Sequence, residues 1–330
     1  MSSQASGRYA NGTQWLLMLS AVAMLVLACG WVVAAASVHR AVLSSVLLGF
    51  SCYMVVALVG HDAAHQSLSR NHAVNRIALF LSFAIIGVSG YLWGRRHVRI
   101  HHQAPNVVGN GIDGDRSIIV RFHSGQEWKP WHRLQWLYAP ALYFFVLPGL
   151  AWYGDFIHLR RELRRTGRRF LMVSEFVLTK IVHASFAFLA PYLYFGLSPL
   201  MIGACYLAAS MAASFLFVIV NVGTHLNVHA EMVHPEESNG IRHDWAAHQV
   251  MTTVDWSPES RIACILTGGA NAHLAHHLFP HAAHCHNTRL TQLVAAAAAA
   301  HDVDRNVISF REMLAGHLAL LRKFSKPPRA

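Results

Sequence analysis

Histidines in this chain are concentrated in three short clusters, each just beyond a long apolar stretch. On a helix, residues four apart lie on one face, so each cluster can point two imidazoles at one spot. Neutral imidazole is a ligand for iron, copper and zinc. Eight histidines are too many for one ion and suit two, so the clusters predict a dinuclear metal centre. They are His61 and His65; His97, His101 and His102; and His273, His276 and His277.

Long apolar stretches around these clusters set the class of protein. Hydrophobic residues make up 54% of the 330 residues and charged residues only 13%, whereas a soluble domain carries about 25% charged residues. A helix crosses a bilayer in about 20 residues. Four stretches are long enough: residues 13–36, 41–60, 180–196 and 198–223. We therefore expect an all-α membrane protein with four transmembrane helices in two hairpins.

Two further apolar stretches, residues 77–93 and 134–152, favour interfacial helices over spans. The first is short, and the second contains Pro140 and Pro148, which disturb a spanning helix. The stretch 13–36 is longer than the apolar part of a signal peptide, so we expect it to be retained as a span. One membrane-embedded domain is expected over residues 13–323, with disordered ends at 1–12 and 324–330.

The densest basic run of the chain, residues 158–169, indicates its orientation. Short basic loops stay in the cytoplasm, and Arg95, Arg96 and Arg99 flank the second histidine cluster. With four spans, this rule places the N-terminus and all three clusters on the cytoplasmic side, where a helical cap can hold the metals. We expect an integral protein, of a bacterial inner membrane, whose active site faces the cytoplasm.

The formal net charge of +11 is compatible with two kinds of partner. Basic residues beside spans anchor a protein to the anionic lipid bilayer, and a basic cytoplasmic face also attracts an acidic protein. Nucleic-acid binding is not expected, because the basic run lacks interleaved aromatic residues and lies against a membrane. The five cysteines have no Cys-x-x-Cys spacing, so we expect neither a disulfide framework nor an iron–sulfur centre.

The histidine clusters resemble the three histidine boxes of the membrane fatty acid desaturase/hydroxylase superfamily. The boxes read HDAAH from His61, HVRIHH from His97 and HLAHH from His273, in the order of that family. Residues 268–280, GGANAHLAHHLFP, are similar to the third-box motif of its front-end acyl desaturase branch. Residues 245–249, WAAHQ, are similar to the W-x-x-H-Q stretch of the same branch.

The resemblance implies two iron ions, held by histidines on the cytoplasmic side of a four-span bundle, that use dioxygen to remove hydrogen from an acyl chain. It also implies a ninth ligand near the end of the last span, for which His225 is the first candidate and His229 the reserve. Residues 221–225 resemble an arrangement in which an asparagine, here Asn221, acts through water. The implied iron ligands are His61, His65, His97, His101, His102, His225, His273, His276 and His277.

Groups around the ligands should hold the imidazoles in one tautomer. The candidates near the boxes are Asp62, Asp113, Asp115 and His248. Asp113 and Asp115 follow the second box at a spacing found in the family. Each carboxylate is equally well explained as a solvated loop residue, and His248 as a structural one.

Two departures limit what the resemblance implies. His273 stands where front-end enzymes mostly have glutamine, so the position of the double bond is not inherited from that branch. No His-Pro-Gly-Gly haem motif occurs, so electrons are expected from a separate ferredoxin, or from a small cytochrome with its reductase. The acyl substrate can be carried by coenzyme A, by an acyl carrier protein or by a lipid.

Three other functions fit parts of the pattern. The same boxes serve hydroxylation or acetylene formation on an acyl, alkane or sterol substrate. HDAAH also resembles the H-E-x-x-H motif of zinc proteases, but it lacks the glutamate base and leaves five histidines unexplained. A metal transporter usually carries carboxylates within its spans, and the four predicted spans contain no Asp or Glu.

Overall fold

The structure is a computed structural model that describes residues 7–109, 117–165, 167, 169–234 and 244–328. The described chain is mostly helical. Its α-helices are α1 (Gly12–Val33), α2 (Val38–Val55), α3 (His61–Ala64), α4 (His72–Ala84), α5 (Gly90–Arg96), α6 (Gln135–Leu142), α7 (Val146–Gly149), α8 (Asp155–Leu163), α9 (Arg169–Ala184), α10 (Ala190–Phe195), α11 (Pro199–His225), α12 (Trp245–Thr252), α13 (Arg261–Thr267), α14 (His273–Leu278), α15 (Asn287–Ala300) and α16 (Phe310–Ser325).

Several of these helices are joined end to end by short segments of other helical types. The π-helical segments are Val56–Gly60, His97–His101, Leu150–Gly154 and Ser185–Leu189. The 3₁₀ segments are Pro130–Leu134, Tyr143–Phe145 and His284–His286. Two of the π segments lead into or contain a histidine box, which is the kind of place where such bulges are usually found.

Five helical stretches among the described residues are long and apolar enough to cross a membrane. Four of them, Gly12–Val33, Val38–Ala64, Arg169–Phe195 and Pro199–His225, coincide with the predicted spans. The fifth is Pro130–Leu163, which includes the stretch that the sequence analysis assigned to the interface. The number of four spans therefore stays a prediction.

The chain forms two compact units, residues 1–95 with 143–218 and residues 96–142 with 219–330. The first unit contains the antiparallel pair of α1 and α2, whose starts are capped by the side chains of Asn11 and Ser37. Gly49 in α2 permits close packing on α11, because a Cβ there would lie 2.2 Å from the carbonyl oxygen of Ala209. The single domain expected over residues 13–323 stays a prediction.

The ends of the chain differ slightly from the predicted boundaries. Helix α1 begins at Gly12 and α16 ends at Ser325, so regular structure extends just beyond residues 13 and 323. Of the two ends that we expected to be disordered, residues 1–6 and 329–330 lie outside the described chain.

The stretch 77–93 is broken in the first unit by a turn at Gly87, whose φ of +75° favours glycine. Helix α9 holds this turn with polar side chains. His183 Nδ1 lies 3.2 Å from the carbonyl oxygen of Ile85, and Lys180 Nζ donates to that of Gly87 at 2.6 Å. Lys180 also pairs with Asp155 at 2.8 Å, and Asp155 accepts the Ser89 backbone N–H at 2.7 Å.

In the second unit, α16 packs against the end of α11. Asn227 Nδ2 donates to the carbonyl oxygen of Met313 at 2.9 Å, and His317 Nδ1 lies 2.6 Å from that of Leu226. Two short strands, β1 (Asp255–Trp256) and β2 (Val307–Ile308), pair in parallel. These contacts fix the chain before and after the third histidine box.

Candidate metal centre

The second histidine box lies on a π-helical turn in the second unit. Its closing hydrogen bond runs from the His102 backbone N–H to the His97 carbonyl oxygen at 3.1 Å. A π-helical turn brings residues five apart onto one side, and His97 and His102 have their Nε2 atoms 3.2 Å apart. The His101 ring also lies close, with its centroid 5.4 Å from that of His97. All three imidazoles of the box are therefore neighbours.

Four histidines of the second unit form a close cluster. His101, His225, His273 and His277 each offer a ring nitrogen, and these nitrogens lie within 4.8 Å of one another. His225 Nε2 is 2.7 Å from His273 Nε2 and 3.2 Å from His277 Nε2. The four rings are buried, with at most 8% exposure. Four buried imidazole nitrogens around one point are a donor set that fits a transition-metal ion.

Hydrogen bonds on the far side of two rings fix their tautomers. His225 Nδ1 lies 2.9 Å from the Thr252 carbonyl oxygen, and His277 Nδ1 lies 2.8 Å from Gln249 Oε1. Both acceptors lack a hydrogen, so each Nδ1 carries the proton and each Nε2 presents its lone pair to the cluster. Burial lowers the pKa of His277 well below its usual value. The ring is therefore neutral, which is the form that binds a metal.

Other predicted ligands lie beside this cluster or in the first unit. In the second unit, the centroid of His102 is 4.6 Å from that of His276 and 4.3 Å from that of His277. In the first unit, His61 and His65 form a pair with centroids 4.9 Å apart. There Asp62, which is 2% exposed, has Oδ1 3.9 Å from His61 Nδ1 and accepts a hydrogen bond from the Gln14 amide.

The third box is positioned by a glycine turn and a buried carboxylate. Gly268 and Gly269 both have positive φ, at 59° and 81°, and turn the chain from α13 towards α14. A Cβ on Gly269 would lie 2.5 Å from Asn287 Nδ2, so only glycine fits there. Asp255 then accepts the Leu274 backbone N–H at 2.8 Å at the start of α14. Burial raises the pKa of Asp255 to about 6, although this hydrogen bond opposes the shift.

The two candidates for the ninth ligand differ in their surroundings. His225 belongs to the four-histidine cluster and is 6% exposed, whereas His229 is exposed and its backbone N–H bonds Asn227 Oδ1. Asn221, one turn before His225 on α11, is half-buried. The structure thus separates His225 from the reserve candidate, and action of Asn221 through water stays a prediction.

The predicted residues around the ligands have mixed outcomes. His248 is buried, with Nε2 2.9 Å from the Pro105 carbonyl oxygen just after the second box, and its support of a ligand ring stays a prediction. Asp113 and Asp115 lie outside the described residues.

Sequence reasoning missed three residues around the cluster. Gln249 could have been found, because it is the last residue of the W-x-x-H-Q stretch. Asn106, whose Nδ2 donates to the His225 carbonyl oxygen at 2.9 Å, has no motif. Thr252 acts through its backbone carbonyl, which any residue supplies.

Comparison with known proteins identifies the family of the chain. Residues 36–309 match the model of the family described as fatty acid desaturase. The chain is 28% identical to the sn-1 linoleoyl-lipid 6-desaturase of Arthrospira platensis, covering 87% of this chain and 78% of that protein. It is 26% identical to the enzyme of the same name from Synechocystis, over 81% of this chain and 76% of that protein.

A third relative is matched over a smaller share of its own length. The acyl-lipid (8-3)-desaturase of Physcomitrium patens is 26% identical over 84% of this chain and 58% of its own length. The family match spans all three histidine boxes and the segments that position them. The chain belongs to the fatty acid desaturase family.

Proposed function

We propose that this protein is an integral-membrane, oxygen-dependent di-iron desaturase that introduces a carbon–carbon double bond into the acyl chain of a lipid. Membership of the family makes it a fatty acyl desaturase and an oxidoreductase. The observation that carries the metal assignment is the buried cluster of His101, His225, His273 and His277.

The proposed ligand set divides between two ions. The four-histidine cluster would hold one of them. The other ligands that the family resemblance implies are His61, His65, His97, His102 and His276. Bound iron would supply the redox chemistry with dioxygen, because iron changes its oxidation state and zinc does not.

The protein's own part in the reaction is to orient and shield the ligands. The Thr252 carbonyl and the Gln249 amide keep Nδ1 of His225 and His277 protonated, so that Nε2 is left to bind metal. Burial of all four rings keeps water away from the site, which protects a reactive oxidant from side reactions. No carboxylate is required for these steps.

A cavity of the first unit suits an acyl chain. It has a volume of about 190 Å³ and apolar walls from α1, α2, α10, α11 and the π segment Ser185–Leu189. Its principal polar groups, Tyr206 and His183, lie 3.3 Å apart, and the Trp152 indole donates to Tyr206 at 2.6 Å. Because these groups hydrogen-bond one another, they do not need a hydrogen bond from a hydrocarbon ligand. The linoleoyl-lipid substrates named for two relatives support a lipid-linked substrate.

The number of membrane crossings between the second and third boxes supports the four-span topology. The second and third boxes meet within the second unit, since His101 lies with His273 and His277. Three candidate spans separate these boxes in sequence, and three full crossings would put the boxes on opposite sides of the membrane. Pro130–Leu163 is interrupted by 3₁₀ and π segments and contains Pro140 and Pro148, so we assign it to the interface. The positive-inside rule then places the boxes at the cytoplasmic face.

Electrons are proposed to come from a separate ferredoxin or small cytochrome. Exposed arginines at the end of α8 and beyond it form a basic surface that suits an acidic donor. These residues are Arg160, Arg161, Arg164 and Arg165.

Metal and lipid analysis test the proposal together. Purified protein should hold two iron ions per chain, and lipids from a host that expresses it should gain a double bond. One zinc ion per chain would contradict the proposal, and a hydroxylated product would place the enzyme in the hydroxylase branch. Replacing His276 or His101 by alanine should abolish iron loading and product formation while the protein still inserts into the membrane.

A further inference from the structure

We propose that Gln249 is a positioning residue, which fixes the tautomer and direction of the His277 ring without adding charge to the metal centre. The inference deepens the proposed function and rests on it only in the identity of the metal. It starts from helix α12, whose start is capped by Asp244 through the Ala247 backbone N–H at 2.8 Å.

Helix α12 presents two acceptors to two ligand rings. Gln249 Oε1 faces His277 at 2.8 Å, and the carbonyl oxygen of Thr252, three residues later, faces His225 at 2.9 Å. Thr252 is the last residue of α12, and the last carbonyl groups of a helix have no partner within the helix. One turn of α12 therefore orients two of the four clustered imidazoles.

The amide of Gln249 is only half satisfied. Its side chain is 0% exposed, and its Nε2 has no hydrogen-bond partner among the residues that the structure describes. A buried donor without an acceptor lowers stability, and an apolar side chain of similar shape would remove that penalty. Stability therefore does not explain glutamine at this position, whereas the acceptor that it offers to His277 does.

The choice of an amide also has an electrostatic consequence. Metal-binding histidines often donate their second N–H to a carboxylate, which makes the ligand more basic. Here the two acceptors seen for cluster rings, an amide and a peptide carbonyl, are both neutral. The nearby carboxylate of Asp255 accepts a backbone N–H instead. Gln249 thus orients His277 and leaves the positive charge of the bound ion undiminished.

Two variants and a matched control separate positioning from packing. Gln249→Met keeps the length of the side chain and removes the acceptor, and Gln249→Glu keeps an acceptor and adds a charge. Gln135→Met is the control, because Gln135 is equally buried in the same unit and makes three hydrogen bonds, with both backbone groups of Arg121 and with the carbonyl of Leu321. The purified full-length proteins are titrated with Co²⁺, whose visible absorption reports on its ligands, and their thermal unfolding midpoints are measured.

Gln249→Met should bind Co²⁺ at the histidine cluster about tenfold to a hundredfold more weakly, with an unfolding midpoint that is unchanged or raised. Gln249→Glu should restore the affinity and bind azide more weakly when the protein carries ferric iron. Gln135→Met should lower the midpoint and leave Co²⁺ affinity unchanged. The inference is overturned if Gln249→Met keeps wild-type affinity, or if it loses stability as the control does. Because the deciding readout for Gln249→Met is cobalt binding, zinc in the native protein would refute the iron proposal and leave this comparison intact.

Discussion

Removal of the Lys180 ammonium group should destabilise the first unit more than any surface change. The Lys180 side chain is 16% exposed and that of Asp155 is 2% exposed, and their charged atoms lie 2.8 Å apart. At an effective dielectric of roughly 20, this separation corresponds to about 6 kcal/mol of attraction. Lys180 also donates to the carbonyls of Gly87 and Ala151, at 2.6 Å each. Lys180→Met removes all three contacts together.

The loss of stability in Lys180→Met depends on the Asp155 carboxylate, which stays in place. Without Lys180, the buried Asp155 loses the ammonium group that lies 2.8 Å from its carboxylate, while it still accepts the Ser89 backbone N–H. Breaking a buried pair by removing one partner typically costs about 3–5 kcal/mol. We expect Lys180→Met to lower the free energy of unfolding by that amount.

A double variant distinguishes an unpaired charge from lost packing. Adding Asp155→Asn to Lys180→Met removes the carboxylate charge. It should recover about 2 kcal/mol of the free energy of unfolding, which is the size of coupling found between contacting residues. The assay is unfolding in mixed detergent micelles, followed by circular dichroism. Wild-type stability in Lys180→Met, or additive losses in the double variant, would contradict the expected contribution of the ion pair.

The remaining predictions concern the ligands, the glycine turn and the cavity. His225→Ala should remove one of the two proposed iron ions, whereas His229→Ala, at an exposed position, should leave the iron content unchanged; equal losses would contradict the choice of ligand. Gly269→Ala should lower the free energy of unfolding by about 2 kcal/mol or more, because φ there is +81° and the new Cβ meets Asn287. Gly203→Ala, where nothing lies within 4 Å, should be harmless by the same measurement. Ala187→Phe narrows the cavity and should shift lipid products towards shorter acyl chains. Leu189→Trp, at a 51% exposed side chain, is its control, and an unchanged product profile in Ala187→Phe would disconnect the cavity from the substrate.

The histidine boxes could be predicted because their chemistry is carried by residue type and spacing. Four histidines chosen from the sequence, His101, His225, His273 and His277, lie together in the second unit. From the sequence we expected regular α-helices, in which His97 and His102 do not share a face. They are neighbours because the segment His97–His101 is a π-helix. A local change of helical type is decided by packing, and no periodicity in the sequence indicates it.

The residues that orient the ligands were harder to predict for two different reasons. Thr252 and Pro105 act through backbone carbonyls. Every residue has such a carbonyl, so the residue type does not indicate the contact. Asp255 lies 18 residues before His273 and reaches the start of α14 only through the turn at Gly268 and Gly269. Its role depends on tertiary structure. The helical stretch Pro130–Leu163 also depends on tertiary structure. It is long only because several helical types are joined end to end.

Neutrality of the four-histidine cluster links its structure to its proposed chemistry. The ligands are imidazoles, and the acceptors behind His225 and His277 are a peptide carbonyl and an amide. Among the described residues, the metal-ligating group contains no Asp, Glu or Cys. An ion bound there would keep its full charge in a buried, low-dielectric site, where that charge attracts electrons and anions strongly. A zinc hydrolase uses such a charge as well, to lower the pKa of bound water. An oxidant that must take hydrogen from an unactivated acyl chain gains the most, because its demand for electrons is what breaks the C–H bond.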